Sequence, residues 1–187
     1  QPKCNMATGE LVSMEALARW QKSDGTFVSP GEFIPLFESS GFITRFDMYI
    51  WKSVCKTLAA WQDKGCKLVP ISINVSMIDI TNIDVPQYLS MLTEQYHISP
   101  EYLPVEITES VFAESNTIVK NTITRFHKKG FYVLMDDFGS GYSSLNVLKD
   151  ANVDYLKLDM KFMQIDAKNK GKGIQILKSI VDMAHRL

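Results

Sequence analysis

Apolar residues recur along the chain in two rhythms, a step of two and a step of three to four, and the switches between them lay out the elements. Two short extended runs come first. Residues around Gln1–Met6 and Leu11–Ala18 flank Ala7-Thr8-Gly9-Glu10, where Gly9 supplies the freedom a tight reversal needs, and a β-hairpin is predicted. Ser29-Pro30-Gly31-Glu32 reads as a helix start, with Ser29 as the cap, Pro30 in the first turn and Glu32 where a capping box places its acid; Gly41 ends it. Ile43, Phe46, Ile50, Val54, Leu58 and Trp61 then recur at helical steps up to Gly65, with Cys55 as a small buried apolar residue among them.

Alternation follows. Leu68–Val75 reads as a strand, Pro86–Tyr96 as a helix, Leu103–Ile107 as a strand, and Thr117–Lys128 as a helix with Ile118, Ile123 and Phe126 inward. Phe131–Met135 is a strand, a Gly/Ser-rich loop leads to Tyr142–Leu148, and Val153–Leu158 is a strand. Lys168–Lys172 reads as a polar connection, and Gly173–Arg186 as a last helix with Ile174, Leu177, Ile180, Val181 and Ala184 on one face. Strands alternating with helices pair in parallel through crossovers, which predicts an α/β fold. Periodicity leaves an open doubly wound sheet and a closed barrel both standing. The polar residues favour the barrel: Glu15, Asn74, Glu106, Asp136 and Lys157 each fall at or near the end of a different strand, where a (β/α)₈ barrel carries its functional side chains.

Composition narrows the class. The 187 residues, 45% of them hydrophobic, suffice for one sizeable core. A net charge of −1, with Lys and Arg spread along the chain, disfavours extended nucleic acid and leaves room for a small anionic ligand at one site. Cys4, Cys55 and Cys66 form no CxxC pair, and with no secretory hydrophobic region this points to a reducing, cytoplasmic compartment. No run approaches the roughly 18 apolar residues of a membrane span, so this part of the protein is expected to make no membrane contact.

Each candidate for chemistry has a plainer alternative. Glu15, inside Val12-Ser13-Met14-Glu15-Ala16-Leu17, is either a buried ligand or the outward residue of a half-exposed strand; Asn74 is either a ligand or an amide tying down main chain. Glu106, between Val105 and Ile107, demands a partner, because an isolated buried carboxylate is costly. Asp136-Asp137 ends an apolar run, and adjacent carboxylates there repel unless a cation intervenes, although a turn-forming Asp before Phe138-Gly139-Ser140-Gly141 is also open. Lys157, between Leu156 and Leu158, is a salt-bridge partner or a group acting on water or phosphate. These donors are oxygens, which suits Mg²⁺ or Mn²⁺, while His97, His127 and His185 lie at no ligand spacing. The residues alone reach metal-assisted phosphoryl transfer or hydrolysis, with two ions as a common solution, and name no substrate.

The motifs, taken in order, resemble those of the EAL domain family. Gln1-Pro2 and Glu15-Ala16-Leu17-Ala18-Arg19-Trp20 are similar to the family's opening and signature, and Ser29-Pro30-Gly31-Glu32-Phe33-Ile34-Pro35 to the helix start that follows. Ser72-Ile73-Asn74-Val75-Ser76, Glu106-Ile107-Thr108-Glu109-Ser110, Asp136-Asp137-Phe138-Gly139 with its Gly/Ser loop, and Val153-Asp154-Tyr155-Leu156-Lys157-Leu158-Asp159 complete the series. The resemblance implies a modified TIM (β/α)₈ barrel with an antiparallel first strand, and metal-dependent hydrolysis of cyclic di-GMP to linear pGpG. It implies Glu15, Asn74, Glu106 and Asp136 as metal ligands, with Asp137 reaching a second ion. Lys157 resembles the lysine that orients or deprotonates the attacking water, and Glu15 and Asp137 count with it as catalytic. Glu109 resembles the glutamate that holds the loop after Asp137, and Gln1, Leu17 and Arg19 resemble substrate contacts. A homodimer and a GGDEF or sensory domain in the same polypeptide are implied partners. A cyclic di-GMP receptor that binds without cleaving is the alternative function.

Two departures stand out: Lys3-Cys4-Asn5 replaces the more usual apolar-apolar-Asp, and Ser140 stands where threonine is commoner. Six strands are expected where a closed barrel needs eight. The resemblance implies that residues 1–187 are a partial domain, lacking the start of the first strand and the last two strand-helix units, with a further ligand glutamate and a catalytic glutamine beyond Leu187.

Overall fold

Asn5 makes the first reversal: its Oδ1 accepts the N–H groups of Ala7 (2.8 Å) and Thr8 (3.1 Å), and Gly9 follows at φ 72°. The computed structural model describes residues 1–113, 117–139, 147–148, 151–160 and 170–186. The reversal joins β1 (Pro2–Cys4) to β2 (Leu11–Glu15) in an antiparallel pair. A second hairpin, β3 (Trp20–Gln21) with β4 (Phe27–Val28), escaped the periodic reading because its strands are two residues long. Its local signal is Asp24-Gly25: Asp24 Oδ1 accepts from Thr26 N–H at 2.9 Å and Gly25 takes φ 87°.

Helix α1 (Pro30–Ser39) starts where expected, but Ser29 Oγ accepts from Gly31 N–H (3.3 Å) rather than from Glu32, so the cap forms without the expected box. Helix α2 (Ile43–Asp63) buries Ile43, Trp51, Val54, Cys55 and Leu58. Strand β5 (Ile71–Asn74) is shorter than the apolar run that predicts it. A capping box does form at the next helix, α3 (Met77–Asn82), between Ser76 and Asp79. Asp84 then caps α4 (Val85–Gln95), and β6 (Val105–Thr108) runs directly into α5 (Glu109–Ala113).

Helix α6 (Thr117–Lys128) has the expected bounds, and Ile123 and Phe126 are inward as expected, but Ile118 is not. Val119, Thr122, Ile123 and Phe126 are buried, whereas Ile118 is 50% exposed, because it sits about 100° round the helix from that stripe. Strand β7 (Val133–Phe138) continues past Met135 to include Asp136 and Asp137. After β8 (Tyr155–Leu158), helix α7 (Lys170–Ala184) takes in residues expected to be connection. Leu177, Ile180 and Ala184 are half-buried, but Ile174 and Val181 are exposed, and a groove of about 340 Å³ stays open between α7 and β8. Ser140 and most of the Tyr142–Leu148 element lie outside the described residues; Val147 and Leu148 are helical and buried.

Strand order decides between the two candidate architectures. The main sheet runs β1-β2-β5-β6-β7-β8, each strand beside its predecessor, and every pair from β2 onward is parallel. A doubly wound sheet would reverse its order at a switch point. Four strand spacings separate β2 from β8, roughly 19 Å if the sheet were flat. Yet Lys157 Nζ on β8 lies 3.0 Å from Glu15 Oε2 on β2, so the sheet curls into a half-barrel. Ile73, Val105, Ile107, Val133 and Met135 point outward and are fully buried in the core with α2, α4 and α6. The intervening positions face the concave side. The fold is α/β, barrel-like, with an antiparallel first strand.

Candidate active site at the strand ends

Parallel strands of similar length put their ends at one rim, and here three acids, Glu15, Glu106 and Asp136, lie at or near those ends. Glu15 ends β2 and pairs in register with Ser72; Asn74 ends β5 and pairs with Glu106; Thr108 of β6 pairs with Asp136. Trp51 steadies this rim from the helical layer. Its ring is fully buried, so its N–H needs an acceptor, and it donates to the main-chain oxygen of Asn74 at 3.0 Å.

Lys157 is the point on which the acids converge. Its Nζ donates to Glu15 Oε2 (3.0 Å), to Asp136 Oδ2 (2.9 Å) and to Glu106 Oε2. One oxygen from each of Glu15, Glu106 and Asp136 lies within 4.8 Å of the others. Glu106 is the most deeply placed, with a side chain 0% exposed. Burial opposes its charge, but hydrogen bonds from Lys157 and Lys3 outweigh that and hold its carboxyl below the usual carboxylate range. Burial likewise opposes the charge on Lys157, and the bonds to Glu106, Asp136 and Glu15 overcome it, holding the ammonium well above its ordinary range. Glu106 and Lys157 are thus charged together.

The adjacent pair Asp136-Asp137 does not act as one unit. From Met135 to Phe138, β7 advances three residues while β8 advances two, from Leu156 to Leu158, and the extra residue makes a bulge. Asp137 takes φ 56° there and is exposed, while its N–H donates to Asp136 Oδ1 at 2.8 Å. Bulges re-aim side chains beside active sites, and this one turns neighbouring carboxylates to different places. Asp136 joins the trio; Asp137 lies outside it. Asn74 is exposed at its strand end beside Glu106. Buried Glu109 accepts the N–H of Gly139 at 2.8 Å, tying the start of α5 to the first residue beyond β7. Gln1 accepts from Glu15 N–H at 2.8 Å through its main-chain oxygen, and Leu17 and Arg19 are exposed in the segment after β2, with Arg19 Nη1 on Ala18 O at 2.8 Å.

Two contributors were not singled out from the residues. Lys3 was a departure from pattern; its ammonium in fact donates to Glu106 Oε1 and to Ser72 Oγ (3.0 Å). Ser72 in turn donates to Met14 O at 3.1 Å. The available signal was alternation: Lys3 shares a strand face with Gln1, and Ser72 with Asn74. His127 holds Asp154 Oδ2 at 3.0 Å, an oxygen that also accepts from Val133 N–H, which is a bracing role at the opposite end of β7.

A match to the EAL domain model extends over residues 1–187. The chain belongs to the EAL family. It is 35% identical over its whole length to the probable cyclic di-GMP phosphodiesterase PdeB of Escherichia coli (strain K12), of which it covers 35%. It is 30% identical, again over its whole length, to the cyclic di-GMP phosphodiesterase PA2567 of Pseudomonas aeruginosa, of which it covers 32%. The chain therefore spans about a third of these relatives. Among solved structures it superposes on the PaMucR phosphodiesterase in complex with c-di-GMP with a TM-score of 0.85, at 26% identity, over 100% of this chain and 75% of that one. EAL phosphodiesterases are metal-dependent, and the rim of this EAL domain fits a divalent cation: three carboxylate oxygens already converge on one cationic centre, and the donors are the hard oxygens such ions prefer. No helix among the described residues is long and apolar enough to cross a membrane.

Proposed function

We propose that the protein hydrolyses cyclic di-GMP to linear pGpG. The observation that carries this reading is the convergence of Glu15, Glu106 and Asp136 on one point at the rim, in a chain whose relatives include proteins named cyclic di-GMP phosphodiesterases. Glu15, Asn74, Glu106 and Asp136 hold one Mg²⁺ or Mn²⁺, and Asp137, re-aimed by the bulge, serves a second. Divalent ions supply at this rim the positive charge that stabilises phosphoryl oxygens as the phosphodiester opens. Lys157 gives up one of its three carboxylate partners when metal takes that carboxylate, and the freed N–H orients the attacking water. The water oxygen joins phosphorus, one ring P–O bond breaks, and the proton ends on the departing ribose oxygen. Arg19 contacts a phosphate, Gln1 and Leu17 frame the ligand, and Glu109 holds the loop beyond Asp137 through Gly139.

The relatives are about three times longer than the chain, which supports placing a GGDEF or sensory domain in the same polypeptide. The 75% coverage of the PaMucR chain supports a continuation of the barrel that carries the further glutamate and the glutamine. A homodimer in the cytoplasm completes the proposal.

The test is turnover. With Mn²⁺ or Mg²⁺, the protein converts cyclic di-GMP to a linear dinucleotide resolved by chromatography, and Glu15→Ala abolishes product. Tight cyclic di-GMP binding by the wild type with no product under either metal would transfer the protein to the receptor class.

A further inference from the structure

Lys3 enters the acid cluster from β1, the antiparallel strand, where it pairs with Ser13 at the start of a register shift. Its Nζ donates to Glu106 Oε1 and to Ser72 Oγ at 3.0 Å, and stands 3.9 Å from Glu15 Oε2. Lys157 holds the other oxygen of Glu106. Both oxygens of the most buried carboxylate at the rim are therefore taken by ammonium groups, and three carboxylates face two positive charges rather than one. Ser72 donates its own proton to Met14 O at 3.1 Å, so it is fixed as an acceptor for Lys3. The lysine is seated, with 26% of its side chain exposed, and not merely nearby.

We infer that Lys3 is a resident cation that competes with divalent metal for Glu106 and so weakens the affinity of this rim for metal. The inference rests on reading the rim as a metal site. The physical reason is charge and occupancy together. A divalent ion bound between Glu15, Glu106 and Asp136 sits within a few ångströms of the Lys3 ammonium, and like charges at that range repel strongly where water is scarce. The same ion takes Glu106 oxygens that Lys3 already satisfies. A lysine stem is flexible enough to withdraw along Ser72 without moving β1, so metal loads against Lys3 rather than being shut out by it. Lys3 is thus a positioning residue for Glu106 that sets the metal concentration at which the rim fills.

The probe is Mn²⁺ alone, without nucleotide. Free Mn²⁺ is followed by electron paramagnetic resonance while it is titrated into the wild type and into Lys3→Met, Lys3→Gln and Lys3→Arg. Lys3→Gln keeps a donor toward Glu106 without the charge, and covers the case in which Lys3→Met does not fold. The neutral variants should bind Mn²⁺ about tenfold tighter or more, and Lys3→Arg should stay near the wild type. Saturable binding with equal dissociation constants in wild type and neutral variants overturns the role of Lys3 and leaves the metal site standing. Absence of saturable binding in all four proteins removes the metal site itself, and Lys3's role with it.

Discussion

Two regions of this molecule bury carboxylates, and they neutralise them by opposite means. At the rim, Glu106 is 1% exposed and stays ionised because Lys157 and Lys3 bond both its oxygens. In the helical layer, Asp79 is 0% exposed, and its Oδ2 accepts from Ser76 N–H (2.9 Å) and Ser76 O–H (2.7 Å). Its Oδ1 is buried without a donor among the described residues. Asp47 on α2 lies against Asp79. Its own burial first, then the Asp79 charge and Glu38, push it up to about 8. Asp47, holding its proton, has the Asp79 side chain as its hydrogen-bond neighbour. The same side-chain chemistry thus gives charge open to a divalent cation in one place and a shared proton in the other. What separates them is the sign of the neighbours: ammonium groups at the rim, further carboxylates between α2 and α3.

The sharpest way to break this contrast is to remove the cation. Lys157→Met leaves Glu106, Glu15 and Asp136 with Lys3 alone, and should lower unfolding free energy by about 3 kcal/mol in metal-free buffer, read from urea melts. Added Mn²⁺ should restore much of the loss; a variant as stable as the wild type without metal would mean the acids do not depend on that amine.

Removing the proton-sharing pair should act next, and with the opposite pH signature. For Asp47, the folded value of about 8 stands above its ordinary 3.8. Between those limits the folded state holds a proton that the unfolded state has released. Stability therefore falls as pH rises from about 4 to 8, by at most ~1.4 kcal/mol per unit, and levels off above. Asp47→Asn should flatten that limb, matching the wild type near pH 5 and becoming progressively more stable than it toward pH 8.5 in urea melts. Glu106 runs the other way: its lowered value means the stability it contributes is present at neutral pH and is lost as acid protonates it below the usual carboxylate range.

Smaller effects sharpen the frame around the pair. Ser76→Ala removes the cap of α3 and one donor to Asp79, and should cost about 1 kcal/mol of stability. An exposed acid gives the baseline. Asp84, bonded by Arg125 and held below its ordinary range mainly by that bond, is solvent-facing, so Arg125→Ala should change stability by less than about 0.5 kcal/mol.

Local rules were enough for much of this. Helical steps marked α2 and α6, Gly9 marked the first reversal, and apolar runs between turn residues marked β2, β5, β6, β7 and β8. Acids at or near the ends of those runs singled out Glu15, Glu106 and Asp136 as candidates before any geometry, because a carboxylate inside an apolar run requires a partner. The contacts of Lys3 were not legible, since a lysine two residues from the chain start carries no sign of what the opposite strands present to it. Nor was the separation of Asp136 from Asp137, which depends on a bulge in the pairing of β7 with β8.

By itself the sequence determined the elements, their alternation and which side chains cannot be buried alone, because these follow from the local periodicity of the backbone and the cost of removing charge from water. Only the tertiary structure decided which charges meet. Glu15 and Lys157 are 142 residues apart and touch at 3.0 Å because the sheet curls, and curl arises from strand twist and register summed over six strands rather than from any one segment.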